Sequence, residues 1–340
     1  MAMKNRLAWI GFALGLLAPS VAYANKPMQY LNGYGTKAYQ VVGLTWLLLA
    51  ISILVIIIVS VLVIVGVLTR KSPGNVPIAA VKVERAGNGL RWVIMGVAVS
   101  LLVLFGSAVW SMMTLAAVNG PSRPSHLTIV VTGQQWWWSA RYLSNDTSRV
   151  FTTADEIHIP VGRPVQIHLI STDVMHGFWV PLLSGQTYAI PGQTNRIWIE
   201  ADKPGRYRGE CKLFCGVQHA NMLFYIVAQP PAQFQTWWDN QLKPAPAPTT
   251  KTTIEGAHLF IARCGVCHTV RGTGAGGILG PDLTHLASRK TILGALPNTP
   301  GNLSGWVANP QAIMPGNKMP IPYLSGPELH DITSYLETLR

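Results

Sequence analysis

The chain has 340 residues, length enough for two or three domains. Hydrophobic residues make up 49% and charged residues only 12%, low for a wholly soluble protein and in keeping with membrane spans. The net charge of +12 divides as +8 over residues 1–119, +1 over 120–242 and +3 over 243–340, so the basic excess reads as membrane topology and argues against a nucleic-acid-binding surface.

The N-terminus carries Lys4 and Arg6, then an apolar run from Leu7 to Leu17, then Ala22-Tyr23-Ala24. A charged start, a short hydrophobic stretch and an Ala-x-Ala site predict a signal peptide over 1–24. The rest of 25–119 predicts a transmembrane hairpin, with helices over about 41–69 and 92–118. Both runs are uncharged and long enough to cross a hydrocarbon core of about 30 Å. Between them Arg70, Lys71, Lys82, Arg85 and Arg91 face Glu84 alone. By the positive-inside rule that loop is cytoplasmic, and everything after residue 120 lies outside.

Residues 120–242 change character. Short β-rich stretches at Leu127–Val131, Glu156–Ile159, Val165–Ile170, Arg196–Ile199 and Leu223–Val227 are separated by Gly, Pro and Asn. This spacing predicts an all-β Greek-key sandwich or barrel. Lys243–Lys251 reads as a Pro-rich linker of semi-rigid type. Residues 252–340 follow, with helical patterns at Thr253–Arg263 and Pro327–Leu339.

The β-rich region contains Cys211-Lys-Leu-Phe-Cys215-Gly-Val-Gln-His219-Ala-Asn-Met222. Two thiols, an imidazole and a thioether within twelve residues form a soft donor set that suits copper. A further histidine must come from elsewhere, and His176, just after a predicted strand, is the best placed. A mononuclear blue-copper site uses one cysteine, whereas two thiolates bridging two coppers account for the second. A disulfide or a zinc site is the competing reading of the pair. His158 and His168 fall on predicted strands and read as packed or surface residues. Gln135-Trp136-Trp137-Trp138 reads as a core or membrane-interface aromatic run.

Cys264-Gly-Val-Cys267-His268 is a c-type haem attachment sequence. Both thiols add to the haem vinyl groups and His268 supplies one axial ligand. The other axial position in cytochromes c is a methionine. Met314 and Met319 compete for it, and the Pro-Gly-x-x-Met-Pro form favours Met319.

Cys-x-x-x-Cys-Gly-x-x-His-x-x-Met, with the upstream Asp-Val-x-His-Gly-Phe and a preceding two-helix hairpin, resembles the copper A (CuA) domain of cytochrome c oxidase subunit II over most of residues 30–230. With residues 251–340, which resemble a class I cytochrome c, the whole resembles the fused subunit II of caa-type haem–copper oxidases. The resemblance implies a cupredoxin-like CuA domain over 120–242 and an all-α cytochrome c domain over 252–340. It implies a dinuclear copper centre bridged by Cys211 and Cys215, with His176, His219 and Met222 as terminal ligands and Leu213 contributing its backbone carbonyl. It implies one covalently bound haem c, and Trp136 as the residue where electrons enter the copper site. It implies a role in relaying electrons from a cytochrome donor, or from a quinol:cytochrome c oxidoreductase, through haem c and CuA to the haem–copper subunit I, which reduces oxygen to water with the other oxidase subunits. This chain itself would carry no oxygen-reducing residues. The implied place is the bacterial inner membrane, multi-pass in the lipid bilayer, with the copper and haem domains on the periplasmic side.

Three departures stand out. Leu213 occupies a position where the family usually has a magnesium-binding Glu. Gly89 stands three residues before Trp92, where the family often has a Glu serving proton uptake. Gly96 replaces a family Pro. Two other functions fit parts of the pattern: a membrane-anchored haem c/CuA carrier serving another terminal reductase, and a copper-delivery protein, which would have no use for a second redox centre.

Overall fold

A computed structural model describes residues 31–69, 89–121 and 123–340. The expected signal peptide and most of the basic loop lie outside these residues. Two long helices come first, α1 (Thr36–Thr69) and α2 (Gly89–Asn119), packed on each other. Their best windows reach mean hydropathies of 3.5 and 2.3, and those windows bury nothing inside the protein. At a rise of 1.5 Å per residue each exceeds the hydrocarbon thickness of a bilayer, at roughly 50 and 45 Å. Side chains such as Leu62, Leu102 and Phe105 point outward. A helix apolar on every face is satisfied by lipid, because all its backbone hydrogen bonds are internal.

Both outer helix ends are tied to the β domain. Thr36 and Arg123 reach opposite oxygens of the buried Glu200, at 3.3 and 2.7 Å. Trp198 Nε1 donates to the Val118 carbonyl at 3.2 Å, and the Tyr34 N–H donates to Leu182 O at 2.8 Å. The start of α1 and the end of α2 therefore meet the same domain, as a hairpin that crosses and returns requires.

The β domain is a two-sheet sandwich. Its strands are β1 (Leu127–Gln134), β2 (Trp137–Leu143), β3 (Phe151–Ala154), β4 (Glu156–Pro160), β5 (Val165–Ser171), β6 (His176–Trp179), β7 (Thr187–Ala189), β8 (Asn195–Ile199), β9 (Gly205–Cys211) and β10 (Leu223–Gln229). One sheet has the order β3-β2-β1-β5-β8, the other β4-β10-β9-β6-β7. β1 with β5 and β4 with β10 are parallel pairs, and the other pairings are antiparallel. Burial alternates along β1, β5 and β10, so Ile129, Val131, Ile167, Leu169, Phe224 and Ile226 fill the space between the sheets. A short helix, α3 (Pro231–Gln241), closes one end with Phe234 and Trp238.

The last domain is helical. It contains α4 (Lys251–Arg263), a short hairpin β11 (Thr291–Ile292) and β12 (Leu296–Pro297), then α5 (Pro300–Ala308), α6 (Pro310–Ile313) and α7 (Gly326–Leu336). Capping boxes start α4 at Thr250 and α7 at Ser325. α4 and α7 cross where Gly256 meets the Asp331 carbonyl, a point where a Cβ would overlap the backbone. The arrangement is thus an N-terminal membrane hairpin, a cupredoxin-like β domain and a helical C-terminal domain.

Candidate metal centre and haem cavity

β6 delivers His176, β9 ends on Cys211, and the loop to β10 carries Cys215, His219 and Met222. The loop is pinned where it starts and ends. Cys211 N donates to Met222 O at 3.1 Å, and Lys212 N to Gly177 O at 2.9 Å. A one-turn 3₁₀ helix, His219–Asn221, turns His219 back toward the cysteines.

The two sulfurs stand 3.7 Å apart. Around Cys211 Sγ lie Leu213 O at 3.3 Å and His176 Nδ1 at 4.0 Å. Around Cys215 Sγ lie His219 Nδ1 at 3.6 Å and Met222 Sδ at 3.8 Å. Each sulfur thus has one imidazole nitrogen and one weaker donor within 4.0 Å of it. His176, Cys211 and Cys215 converge closely enough to hold a metal ion, and all three are buried. Both cysteines are free thiols. The S–H of Cys215 beside it brings Cys211 down to about 3, against the opposing effect of burial, while the same contact and burial push Cys215 up. Together the pair holds one thiolate readily, and a cation is the partner that would let it hold two.

Surrounding residues orient this set. Asp173 Oδ1 accepts from His176 Nε2 at 2.8 Å, which leaves Nδ1 facing the sulfurs. Burial pulls Asp173 upward, but His176, the N–H groups of Gln135 and Val174, and Lys318 hold it at about 2. The Trp138 ring stands edge-on to His176, with centroids 5.8 Å apart, and rests on Phe178 and Phe224 below. Gln135 Nε2 and Trp136 Nε1 both donate to the Cys215 carbonyl, at 2.7 and 3.0 Å. Trp136 is only 7% exposed, and Gly316 of the helical domain lies over its ring. Asp173, Gln135 and Trp138 escaped the sequence reading as orienting residues. Asp173 had a signal, since it precedes His176 by three positions.

In the helical domain, Cys264 caps α4, and the N–H groups of Cys267 and His268 both donate to its carbonyl at 3.0 Å. That turn aims both thiols and the imidazole into one cavity. His268 Nδ1 donates to Pro281 O at 2.9 Å, so Nε2 is free to face inward. Phe260, Leu283, Leu303, Val307 and Ile332 supply apolar walls. Met319 lines the cavity, while Met314 is 3% exposed and sits in the β-domain core. Arg289 also lines the cavity, with its Nε unpartnered. An apolar cavity with two thiols, an inward imidazole, a thioether and a buried cation with donor capacity to spare fits a c-type haem.

His158 and His168 stand apart from both sites. His158 stacks on Trp237 at 4.1 Å and shares a 2.8 Å hydrogen bond with Gln229. His168 lies on β5 opposite Arg196.

The fold and these sites define a chain with two apolar helices long enough to cross a membrane, a β domain carrying a buried His/Cys/Cys cluster, and a helical domain with a Cys-x-x-Cys-His cavity. Residues 141–229 match the family described as cytochrome c oxidase subunit II, periplasmic domain, and residues 254–340 match cytochrome c. The chain thus carries a region similar to the cytochrome c oxidase subunit II periplasmic domain followed by one similar to cytochrome c. Its relatives include cytochrome c oxidase subunit 2 of Alkalihalophilus pseudofirmus, 36% identical over 214 residues, or 62% of this chain and 61% of that protein. The same subunit of Bacillus sp. strain PS3 is 29% identical, with 71% of each chain covered. Quinol oxidase subunit 2 of Bacillus cereus is 28% identical over 65% of this chain and 76% of that one. Among solved structures, the periplasmic domain of cytochrome oxidase subunit II from Bradyrhizobium japonicum is 29% identical. That match covers 36% of this chain and 96% of that one, with a TM-score of 0.33. The chain spans about three fifths of the length of the first of these relatives.

Proposed function

We propose that this protein is subunit II of a haem–copper cytochrome c oxidase, relaying electrons from a cytochrome donor through haem c and a dinuclear copper centre to a partner subunit that reduces oxygen. The observation that carries the reading is the donor geometry around Cys211 and Cys215, with one imidazole and one weaker donor within 4.0 Å of each sulfur of a 3.7 Å pair. Such a set suits two soft metal ions better than one. Cys211 and Cys215 would be the thiolates shared by the coppers, and His176, His219, Met222 and the Leu213 carbonyl would complete their ligand set. Cys264 and Cys267 would hold the haem covalently, with His268 and Met319 as axial ligands. The bound cofactors supply one-electron chemistry at two metal centres.

The chain's own residues keep those ligands in place. Asp173 fixes the His176 tautomer, and the paired bonds from Gln135 and Trp136 steady the Cys215 carbonyl. Pro281 does for His268 what Asp173 does for His176. Sulfur ligands held by a rigid β scaffold move little, which favours rapid electron exchange. The apolar hairpin supports an inner-membrane anchor, with the soluble domains on the periplasmic side.

Co-purification tests the oxidase reading. Solubilised from its native membrane under mild conditions, the chain is expected to come out with a large haem-bearing partner. Recovery without such a partner would leave only a membrane-anchored electron carrier.

A further inference from the structure

The turn between β11 and β12 has left-handed backbone at Leu293 (φ +57°) and Gly294 (φ +66°). Leu293 lines the haem cavity and also packs against the β-domain core. Gly294 is seated on the main chain of Leu223. A Cβ at Gly294 would overlap the Leu223 carbonyl and stand 3.1 Å from Phe224 N. Only glycine meets both the dihedral and the approach. Leu223 directly follows Met222, whose sulfur is 3.8 Å from Cys215 Sγ.

The seat is locked from several sides. Glu156 Oε1 accepts from Lys290 N, Thr291 N, Thr291 Oγ1 and Arg206 Nη2, at 2.9, 3.0, 2.9 and 2.7 Å. Gln218 Nε2 donates to Pro315 O at 2.8 Å, and Lys318 pairs with Asp173 at 3.0 Å. The linker is held as well: Lys243 O accepts from His285 Nε2 at 3.2 Å, and Ala245 N donates to Arg271 O at 2.9 Å.

We propose that the Leu293–Gly294 turn is a positioning element that docks the haem domain so that electrons pass from the haem cavity to the copper cluster by way of Leu223 and Met222, rather than through Trp136. The proposal rests on the relay reading above. From the cavity wall at Leu293 to the Met222 ligand the chain offers one non-bonded step, at Gly294 and Leu223. By way of Trp136 the path is longer: Met319, Lys318, Asn317 and Gly316 along the chain, a non-bonded step from Gly316 to the ring beside it, and a 3.0 Å hydrogen bond to Cys215 O. The step is a one-electron exchange, ferrous to ferric at the haem and one electron gained by the copper pair, with no bond made or broken.

The test uses the full chain in detergent, with both cofactors, the haem photoreduced by a flash and the copper near-infrared band followed. In the unmodified protein the transfer rate is expected to be independent of solvent viscosity. Gly294→Ala is expected to slow it by at least about tenfold, a larger loss than Trp136→Phe causes, with both absorption spectra retained. Hydrogen exchange at Leu223–Tyr225 should rise in the same variant. If Gly294→Ala does not fold, Glu156→Gln loosens the same seat and should also slow the transfer. A viscosity-dependent rate, or a larger loss in Trp136→Phe than in Gly294→Ala, overturns the proposal while leaving the relay standing. Absence of the copper or haem band in the unmodified chain overturns the relay and the proposal together.

Discussion

His176 is held at its far nitrogen by Asp173 and at its face by Trp138, so its near nitrogen has one direction left to point. Asp173→Asn keeps the shape but weakens the hydrogen bond that fixes the tautomer. Copper affinity should fall about 10–100-fold, read by competition with a chelator; unchanged affinity would remove Asp173 from the account. Cys215→Ser removes one of the two bridges, so the near-infrared band should vanish and copper content drop. His158 gives a pH signature. Burial lowers its pKa to about 4, with partial compensation from Gln229 and Glu156. The fold therefore favours the neutral imidazole. Its contribution is complete above the ordinary value of about 6.5 and is lost as pH falls through about 4. His158→Gln should flatten the acid side of the Tm–pH profile between those values, measured against the unmodified protein; an unaltered acid limb would contradict this.

At the scale of elements, the sequence pattern located what periodicity encodes. The strands read at Leu127, Glu156, Val165, Arg196 and Leu223 all form, because alternating apolar residues there face one core. β6 and β9, which carry His176 and Cys211, were not read as strands. His-Gly-Phe-Trp is buried almost throughout, and Gly-Arg-Tyr-Arg-Gly-Glu-Cys alternates with glycine in place of apolar residues. Neither shows the usual apolar alternation. α3 and the β11–β12 hairpin were also missed. The first opens on Pro230-Pro231 and the second is two residues per strand, too short to register as a period. The ligand residues were legible because their chemistry is unusual at that spacing, whereas the residues that orient them are ordinary ones made relevant by folding. The Met314–Met319 loop is the clearest case for measurement. Met319→Leu should retain covalent haem but change its axial-ligand spectrum and lower its potential. Met314→Leu, a nearly volume-conserving change in the β-domain core, should leave that spectrum intact and cost less than about 1.5 kcal/mol. The opposite pattern would exchange their roles.

Over the whole molecule, the helical domain is hydrogen-bonded to the β domain next to the Cys211–Cys215 cluster. Glu156 is the buried centre of that junction, receiving four donors on one oxygen. Glu156→Ala leaves Arg206 and the Thr291 groups without their acceptor. Loss of such a buried partner costs about 3–5 kcal/mol, and the two domains should then unfold in separate calorimetric transitions. The arrangement also places Gly316 of the helical domain beside Trp136, which is only 7% exposed. All of this depends on the Cys211–Cys215 cluster and the cavity of the helical domain holding the metals their donor atoms suit. The most direct test is metal and haem analysis of the purified full chain. About two coppers and one covalent haem per chain, with near-infrared absorption, are expected from the bridged donor set and the Cys-x-x-Cys-His cavity. A chain with zinc, a single copper or a Cys211–Cys215 disulfide would contradict it.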